Sequence, residues 1–178
     1  IEREENLSQV YGDAWVYGDA WVYGNAQVSG NARVSGNARV YGDARVSGNA
    51  QVSGNAQVSG DAWVSGNAQV SGDARVYGNA QVSGDARVYG NARVSGNAWV
   101  YGNARVYGNA QVSGDAWVSG DAQVSPVTIT GLTWTVTIAD HEMVIGCQAH
   151  DIDRWWKFTD RQIAVMDSQA TKFWTDNK

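Results

Sequence analysis

Two side chains near the carboxyl end of the chain have the chemistry of a nucleophile and its base. Cys147 and His150 stand three residues apart in the segment G-C-Q-A-H. A thiolate beside an imidazole can attack a carbonyl carbon, and the same two groups also bind zinc. A zinc site takes about four ligands, however, and the chain has no second cysteine. We therefore favour a buried packing thiol and keep a thiol enzyme and a partial metal site as alternatives, with Trp155 and Trp156 nearby in the same candidate tail site.

A second group combines two arginines with two tyrosines. Arg87 and Tyr89 recur as Arg105 and Tyr107, 18 residues further on. If residues 18 apart are neighbours, the two guanidinium groups lie side by side, which costs stability unless an anion, an aspartate or a tyrosine ring intervenes. Solvated surface with local pairing is the simpler interpretation of this arginine–tyrosine block, and a site for a small anionic ligand is the alternative.

The third group is aromatic. Trp63, Trp99 and Trp117 are separated by multiples of 18 residues, and Tyr101 accompanies Trp99. An exposed strip of such rings is typical of a contact between protomers or of a ligand site. Aromatic residues also raise strand propensity wherever they stand, so a simple cross-strand ladder explains the strip equally well. We call these four residues the aromatic face.

The elements that position these residues follow from an internal repeat. From Tyr11 to Val124 the chain reads [YS]-G-[DN]-A-[QRW]-V nineteen times without an insertion. In an extended chain the alanine and valine share one side and the variable residues share the other, while the glycine and its polar neighbour suit a tight bend. Stacked parallel copies would bury a continuous alanine–valine core and align the asparagines into hydrogen-bonded ladders.

This spacing resembles the hexapeptide repeat of left-handed β-helices, as in Val34 and Ala38 or Val40 and Ala44. The resemblance implies three hexapeptides per coil, 18 residues per turn and six to seven coils, and trimers are common in that family. Many of its enzymes are acyltransferases that use a histidine, and the γ-type carbonic anhydrases bind zinc through three histidines. The repeats here contain no histidine, so we expect no such activity in the rod.

After Pro126 the repeat stops and a tail of different composition begins. We expect strands at 127–130, 133–138 and 143–147, a turn at 139–142 and a short helix at 151–157. Thr159 and Gln162 form a capping box that opens a helix to about residue 174. The predicted fold is all-β, a left-handed parallel β-helix with a small α+β cap. The predicted organisation is a capping arm (1–10), the rod (11–125) and this tail (126–178), which we expect to cover the last coil.

The whole chain also resembles uncharacterised bacteriophage and prophage proteins, which join such a helix to a tail with an I-G-C-x-x-H segment, here Ile145 to His150. The resemblance implies a setting in the bacterial cytoplasm and brings no activity with it. The net charge of −5 gives no attraction for nucleic acid, and no apolar run is long enough to span a membrane. We expect a non-catalytic, self-associating rod without cofactors, with a host protein or a small anion as partner. The alternative is an acyltransferase-like or Cys147- and His150-dependent enzyme.

Overall fold

The computed structural model describes residues 13–120, 127–129, 132–139 and 142–177. Within 13–120, eighteen strands of two residues each form three six-stranded parallel sheets. Neighbouring strands in each sheet are 18 residues apart in the chain, as in the pairing of Trp15 with Arg33 and of Val16 with Val34. These residues therefore form a parallel β-solenoid of about six turns, in which residues 18 apart are neighbours on adjacent strands.

The strands are numbered in chain order and fall into the three sheets in turn. Sheet 1 contains β1 (Trp15–Val16), β4 (Arg33–Val34), β7 (Gln51–Val52), β10 (Gln69–Val70), β13 (Arg87–Val88) and β16 (Arg105–Val106). Sheet 2 contains β2 (Trp21–Val22), β5 (Arg39–Val40), β8 (Gln57–Val58), β11 (Arg75–Val76), β14 (Arg93–Val94) and β17 (Gln111–Val112). Sheet 3 contains β3 (Gln27–Val28), β6 (Arg45–Val46), β9 (Trp63–Val64), β12 (Gln81–Val82), β15 (Trp99–Val100) and β18 (Trp117–Val118).

The interior of the solenoid is built from alanine and valine alone. From Ala26 to Val118 every repeat buries both residues, with at most 2% of either exposed to solvent. Both side chains are compact, and the branched valine suits an extended backbone, so successive layers fill a narrow interior. The inward assignment of these two positions is confirmed.

The corners hold the coils together through the backbone and through side-chain ladders. Gly66 has a φ of +66°, and a Cβ placed on it would lie 3.0 Å from the backbone of Gly84 in the next coil. At the neighbouring position Asn31 donates to Asn49 at 3.2 Å, Asn49 donates to Asn67 at 3.0 Å, and Asn67 donates to Asp85 at 3.0 Å. The predicted asparagine ladders are therefore present, and this one ends at an aspartate because a carboxylate has no N–H to pass on.

The tail forms a separate antiparallel sheet with three short helices. The strands, in the order in which they pair, are β19 (Val127–Ile129), β20 (Val136–Ala139), β21 (Glu142–Ile145) and β22 (Gln148–Asp151). The helices are α1 (Ile152–Trp155), α2 (Asp160–Ala164) and α3 (Ala170–Asn177). β19 contacts β17 and β20 contacts β18, so this sheet lies against the last described coil of the solenoid.

Several boundaries in the tail differ from the sequence prediction. The expected third strand ends at Ile145, because Gly146, with a φ of +59°, turns the chain back into β22, a strand that we did not predict. β20 begins three residues later than expected, and Glu142 belongs to β21 instead of a turn.

The prediction of one helix from Thr159 to residue 174 was wrong after its start. The capping box is present, with Gln162 Oε1 accepting from the Thr159 N–H at 3.0 Å, but α2 ends at Ala164. Asp167 Oδ1 then accepts from the Gln169 N–H at 2.8 Å. This side-chain bond competes with helical bonding and allows α3 to begin anew at Ala170.

The remaining organisational predictions lie partly outside the described residues. The capping arm at 1–10, the first two residues of the predicted rod and its last five fall outside them. Within the part of the chain that is described, no helix is both long and apolar enough to cross a bilayer.

Candidate functional site

The aromatic face is a patch of rings on the outside of sheet 3. Trp99 and Trp117 stand opposite each other on β15 and β18, and their rings stack with centroids 5.3 Å apart and 6° between their planes. They remain 40% and 36% exposed to solvent, while Tyr101 beside them is half-buried. The parallel sheet holds the two indoles in register, and their outer edges and faces remain open to a partner.

Trp63 extends this face towards the amino-terminal end. One strand, carrying the half-buried Gln81, separates it from Trp99. The Trp63 indole is 45% exposed and donates its N–H to Ser47 Oγ at 3.2 Å. This hydrogen bond restrains the ring on the sheet surface, so little conformational entropy would be lost when a partner covered it.

The arginine–tyrosine block lies on sheet 1. Arg87 pairs with Arg105 in the strand register, and the rings of Tyr89 and Tyr107 stack with centroids 5.3 Å apart and 12° between their planes. Across the residues described, neither guanidinium group makes an ion pair or a cation–π contact. The predicted side-by-side placement is thus present, and the two like charges are left to solvent.

Cys147 and His150 are not joined in one reactive pair. Cys147 is exposed in the turn after β21, so our expectation of a buried thiol was wrong. The turn at Gly146 pushes it out of the strand, and its neighbour Gln148 donates to its sulfur at 3.9 Å. No hydrogen bond links Cys147 to His150 among the described residues.

His150 belongs to an aromatic cluster in the tail. Its ring meets those of Trp155 and Phe158 edge-on, at centroid distances of 5.2 and 5.0 Å. Burial lowers the pKa of His150, and the positive charge of Arg154 lowers it further, while Glu142 and Asp151 oppose the shift. The imidazole therefore favours its neutral form, which suits packing against rings.

The two predicted tryptophans of the tail site have different environments. Trp155 is 2% exposed and donates its N–H to the carbonyl oxygen of Met143 at 2.6 Å, which fixes α1 on the sheet. Trp156 is 52% exposed and rests against Trp174 at a centroid distance of 5.6 Å. Trp155 is thus a core residue, and Trp156 is a surface residue.

The sequence prediction missed an apolar cavity of about 310 Å³ between the tail sheet and its helices. Of the four residues that we predicted for the tail site, Cys147 and Trp155 line this cavity, and His150 and Trp156 do not. The concentration of tryptophan and phenylalanine after residue 133 was a usable signal, but it does not indicate which rings face one another. In the described part of the chain, no cluster of three or more histidine, cysteine, aspartate or glutamate side chains could hold a metal ion.

Comparison with protein families gives a match for most of the chain. Residues 9–131 match the bactofilin family, which is described as polymer-forming cytoskeletal. The matched span contains the whole described solenoid and β19, and it leaves the rest of the tail outside. No curated protein sequence matches the chain.

Proposed function

Because the chain belongs to the bactofilin family of polymer-forming cytoskeletal proteins, we propose that it is a non-catalytic structural rod that self-associates through its aromatic face. The single observation that carries this proposal is the partly exposed, stacked pair of Trp99 and Trp117 on the outside of sheet 3. Covering each indole would remove about 100 Å² of apolar surface from water and stabilise a contact by about 2–3 kcal/mol.

The rest of the rod supplies the rigidity that such a contact needs. Backbone hydrogen bonds join neighbouring coils on the strands and at the corners, for example Trp63 N–H to the Ala80 oxygen at 2.9 Å and Asn67 N–H to the Gly84 oxygen at 2.8 Å. A surface held in this way changes little on association, so little binding free energy is lost to ordering it.

The tail directs association towards the sides of the rod. Since β19 and β20 lie against the strands of the last described coil, a second rod cannot stack on those strands without displacing the tail. A covered β edge is also protected from uncontrolled strand pairing. The partner that we propose for the aromatic face is a second copy of this chain lying alongside it.

The finer features of the assembly rest on the family resemblances in the sequence. We propose a left-handed helix with three hexapeptides per coil and, by analogy with hexapeptide-repeat proteins, a trimer. The tail motif Ile145 to His150 supports a bacteriophage or prophage origin and a place in the cytoplasm of a bacterial host. A host protein is then the second partner that we propose for the same surface.

The experiment that tests self-association measures mass against concentration. The full chain is examined by sedimentation velocity and light scattering, and we expect oligomers that dissociate on dilution. Trp99→Ala combined with Trp117→Ala should shift the population towards monomer. Trp15→Ala combined with Trp21→Ala is the matched control, because these indoles are 62% and 63% exposed on the other two sheets. Equal masses for the wild type and the Trp99 and Trp117 variant would refute this interface.

A second proposal concerns the arginine–tyrosine block, where two adjacent guanidinium groups lack an ion pair among the described residues. We propose that a small anion binds there between protomers. Calorimetric titration with phosphate and a set of nucleotides tests this, with Arg87→Gln and Arg105→Gln as variants. Glutamine is a suitable replacement because Gln51 and Gln69 occupy the same column. Absence of heat with every anion would exclude the proposal.

A further inference from the structure

The cavity in the tail has aromatic walls. Rings from four residues line it: Trp134 before β20, Trp155 of α1, and Phe173 and Trp174 of α3. Trp155 and Trp174 are 2% and 6% exposed, so these rings are held in place by the fold. At about 310 Å³, the space is large enough for a ligand of roughly ten heavy atoms, at the lower end of the range for small-molecule sites.

The rings pack against one another at an angle. Trp134 and Phe173 are 5.0 Å apart between centroids with 56° between their planes, and Trp155 and Trp174 are 5.7 Å apart with 30° between theirs. All four residues also line the cavity, so a ligand inside it would contact these aromatic side chains. The negative electrostatic potential of aromatic ring faces attracts cations.

The polar residues that line the cavity also favour a cation. They are Cys147, Gln148 and Asp167, and the Asp167 carboxylate is exposed, so it marks the mouth of the cavity. One of its oxygens accepts from the Gln169 N–H, which leaves the second oxygen for other partners. Among the described residues that line the cavity there is no lysine, arginine or histidine. An anionic ligand would therefore meet a carboxylate without a compensating positive charge.

From these observations we infer that the cavity binds a small alkylated ammonium compound. The methyl groups of the ligand would lie against the indole and phenyl rings, and its positive charge would face the Asp167 carboxylate. A quaternary ammonium ion is weakly hydrated, so it enters such a cage at a lower desolvation cost than a primary amine does. A phosphocholine headgroup fits less well, since its phosphate has no basic residue to meet. The ligand class is accordingly the free cation and not a lipid headgroup.

The test compares three probes on the full chain. Choline, phosphocholine and dimethylbutanol (the neutral carbon analogue of choline) are titrated while the indole N–H resonances are followed by NMR. We expect choline to bind about tenfold more tightly than the neutral analogue and more tightly than phosphocholine. The shifts should be confined to Trp134, Trp155 and Trp174. Equal affinity for choline and the alcohol, shifts only on rod tryptophans, or no saturable binding would each overturn the inference.

A surface substitution gives a second readout that does not disturb the aromatic core. Asp167→Asn keeps the side-chain oxygen that accepts from Gln169 and removes the charge, so we expect choline affinity to fall about threefold while the alcohol is unaffected. Asp153→Asn is the matched control, because Asp153 is an exposed tail aspartate that does not line the cavity. An equal loss in both variants, or no loss in Asp167→Asn, would contradict the role of this carboxylate.

Discussion

The indole rings of Trp99 and Trp117 lie one coil apart and almost parallel, with centroids 5.3 Å apart and an interplanar angle of 6°. The strand register sets this relationship, because the two residues are direct partners on neighbouring strands. Two interpretations follow from the same geometry. The pair stabilises the sheet that carries it, and its exposed surface can also be covered by another molecule.

A double-mutant cycle separates these interpretations. We expect Trp99→Ala and Trp117→Ala to show a coupling free energy of about 0.5–1.5 kcal/mol in guanidinium unfolding, because each substitution removes the stacking partner of the other ring. The cycle is measured at a concentration where the chain is monomeric and is compared with the mass at higher concentration. If the coupling energy lies in that range and the double variant has the same mass as the wild type, the aromatic face is a cross-strand ladder and not an interface.

The corner glycines provide the second prediction. Gly66 and Gly114 have nearly identical φ values of +66° and +67°, but a Cβ on Gly66 would lie 3.0 Å from the backbone of Gly84. At Gly114 the nearest described atom is Thr135 Oγ1, at 3.7 Å from such a Cβ. We expect Gly114→Ala to lower the free energy of unfolding by about 1 kcal/mol, the cost of the left-handed backbone conformation.

Gly66→Ala should cost a further 1–3 kcal/mol or so, because the adjacent coil must move away. The measurement is chemical unfolding of both variants, followed by circular dichroism. Equal losses for the two variants would show that the coils are not in the close contact described above.

The third prediction concerns the direction of the asparagine ladder. Asn49 accepts from Asn31 and donates to Asn67, so Asn49→Asp keeps the first bond and loses the second. The new carboxylate would also face the Asn67 side-chain oxygen. We expect a loss of about 1–2 kcal/mol in the free energy of unfolding.

Asn109→Asp is the matched control for this prediction, because the corner residue one coil back from it is the uncharged Asn91. The side chain of Asn109 makes no hydrogen bond with described residues. We expect the control to change stability by less than about 0.5 kcal/mol. A loss as large as that of Asn49→Asp would show that charge, and not the ladder, is responsible.

The fourth prediction is a pH dependence of the tail. The pKa of His150 is lowered by burial and by Arg154, so the unfolded chain takes up a proton at higher pH than the folded tail does. The stability of the tail should therefore be complete above about pH 6.5, the ordinary histidine pKa, and should fall as the pH drops below it.

An NMR titration of the His150 ring checks the cause of this shift. Arg154→Gln should raise the pKa of His150, and Glu142→Gln should lower it further, because the two charges act in opposite directions. Movement of the pKa in the same direction in both variants would exclude this electrostatic account. A wild-type value at or above 6.5 would exclude the pH dependence as well.

Much of the rod could be predicted from the sequence because its interactions repeat locally. Each six-residue repeat contains one strand, one inward-facing alanine and valine, and one glycine corner. No insertion interrupts the six-residue spacing. Once residues 18 apart are neighbours, the stacking of Trp99 on Trp117 and of Tyr89 on Tyr107 follows. The exposed fraction of each ring does not follow in the same way, since it depends on the angle at which the side chain leaves the sheet.

The tail was less predictable because each of its contacts joins different elements. The positive φ of Gly146 turns the chain into a fourth strand and leaves Cys147 exposed. The Asp167 side chain accepts a hydrogen bond from the Gln169 N–H, and two helices form where one was expected. Local composition indicates strands, helices and many aromatic rings, and it also supplies the capping box at Thr159.

The sequence alone determined the solenoid, its core and the residues on each outward face, because one short repeat satisfies its hydrogen bonds and buries its apolar side chains in the same way at every coil. The tertiary structure decided how the tail sheet meets the last described coil and which rings surround the cavity, because those contacts depend on the relative placement of segments that share no repeat.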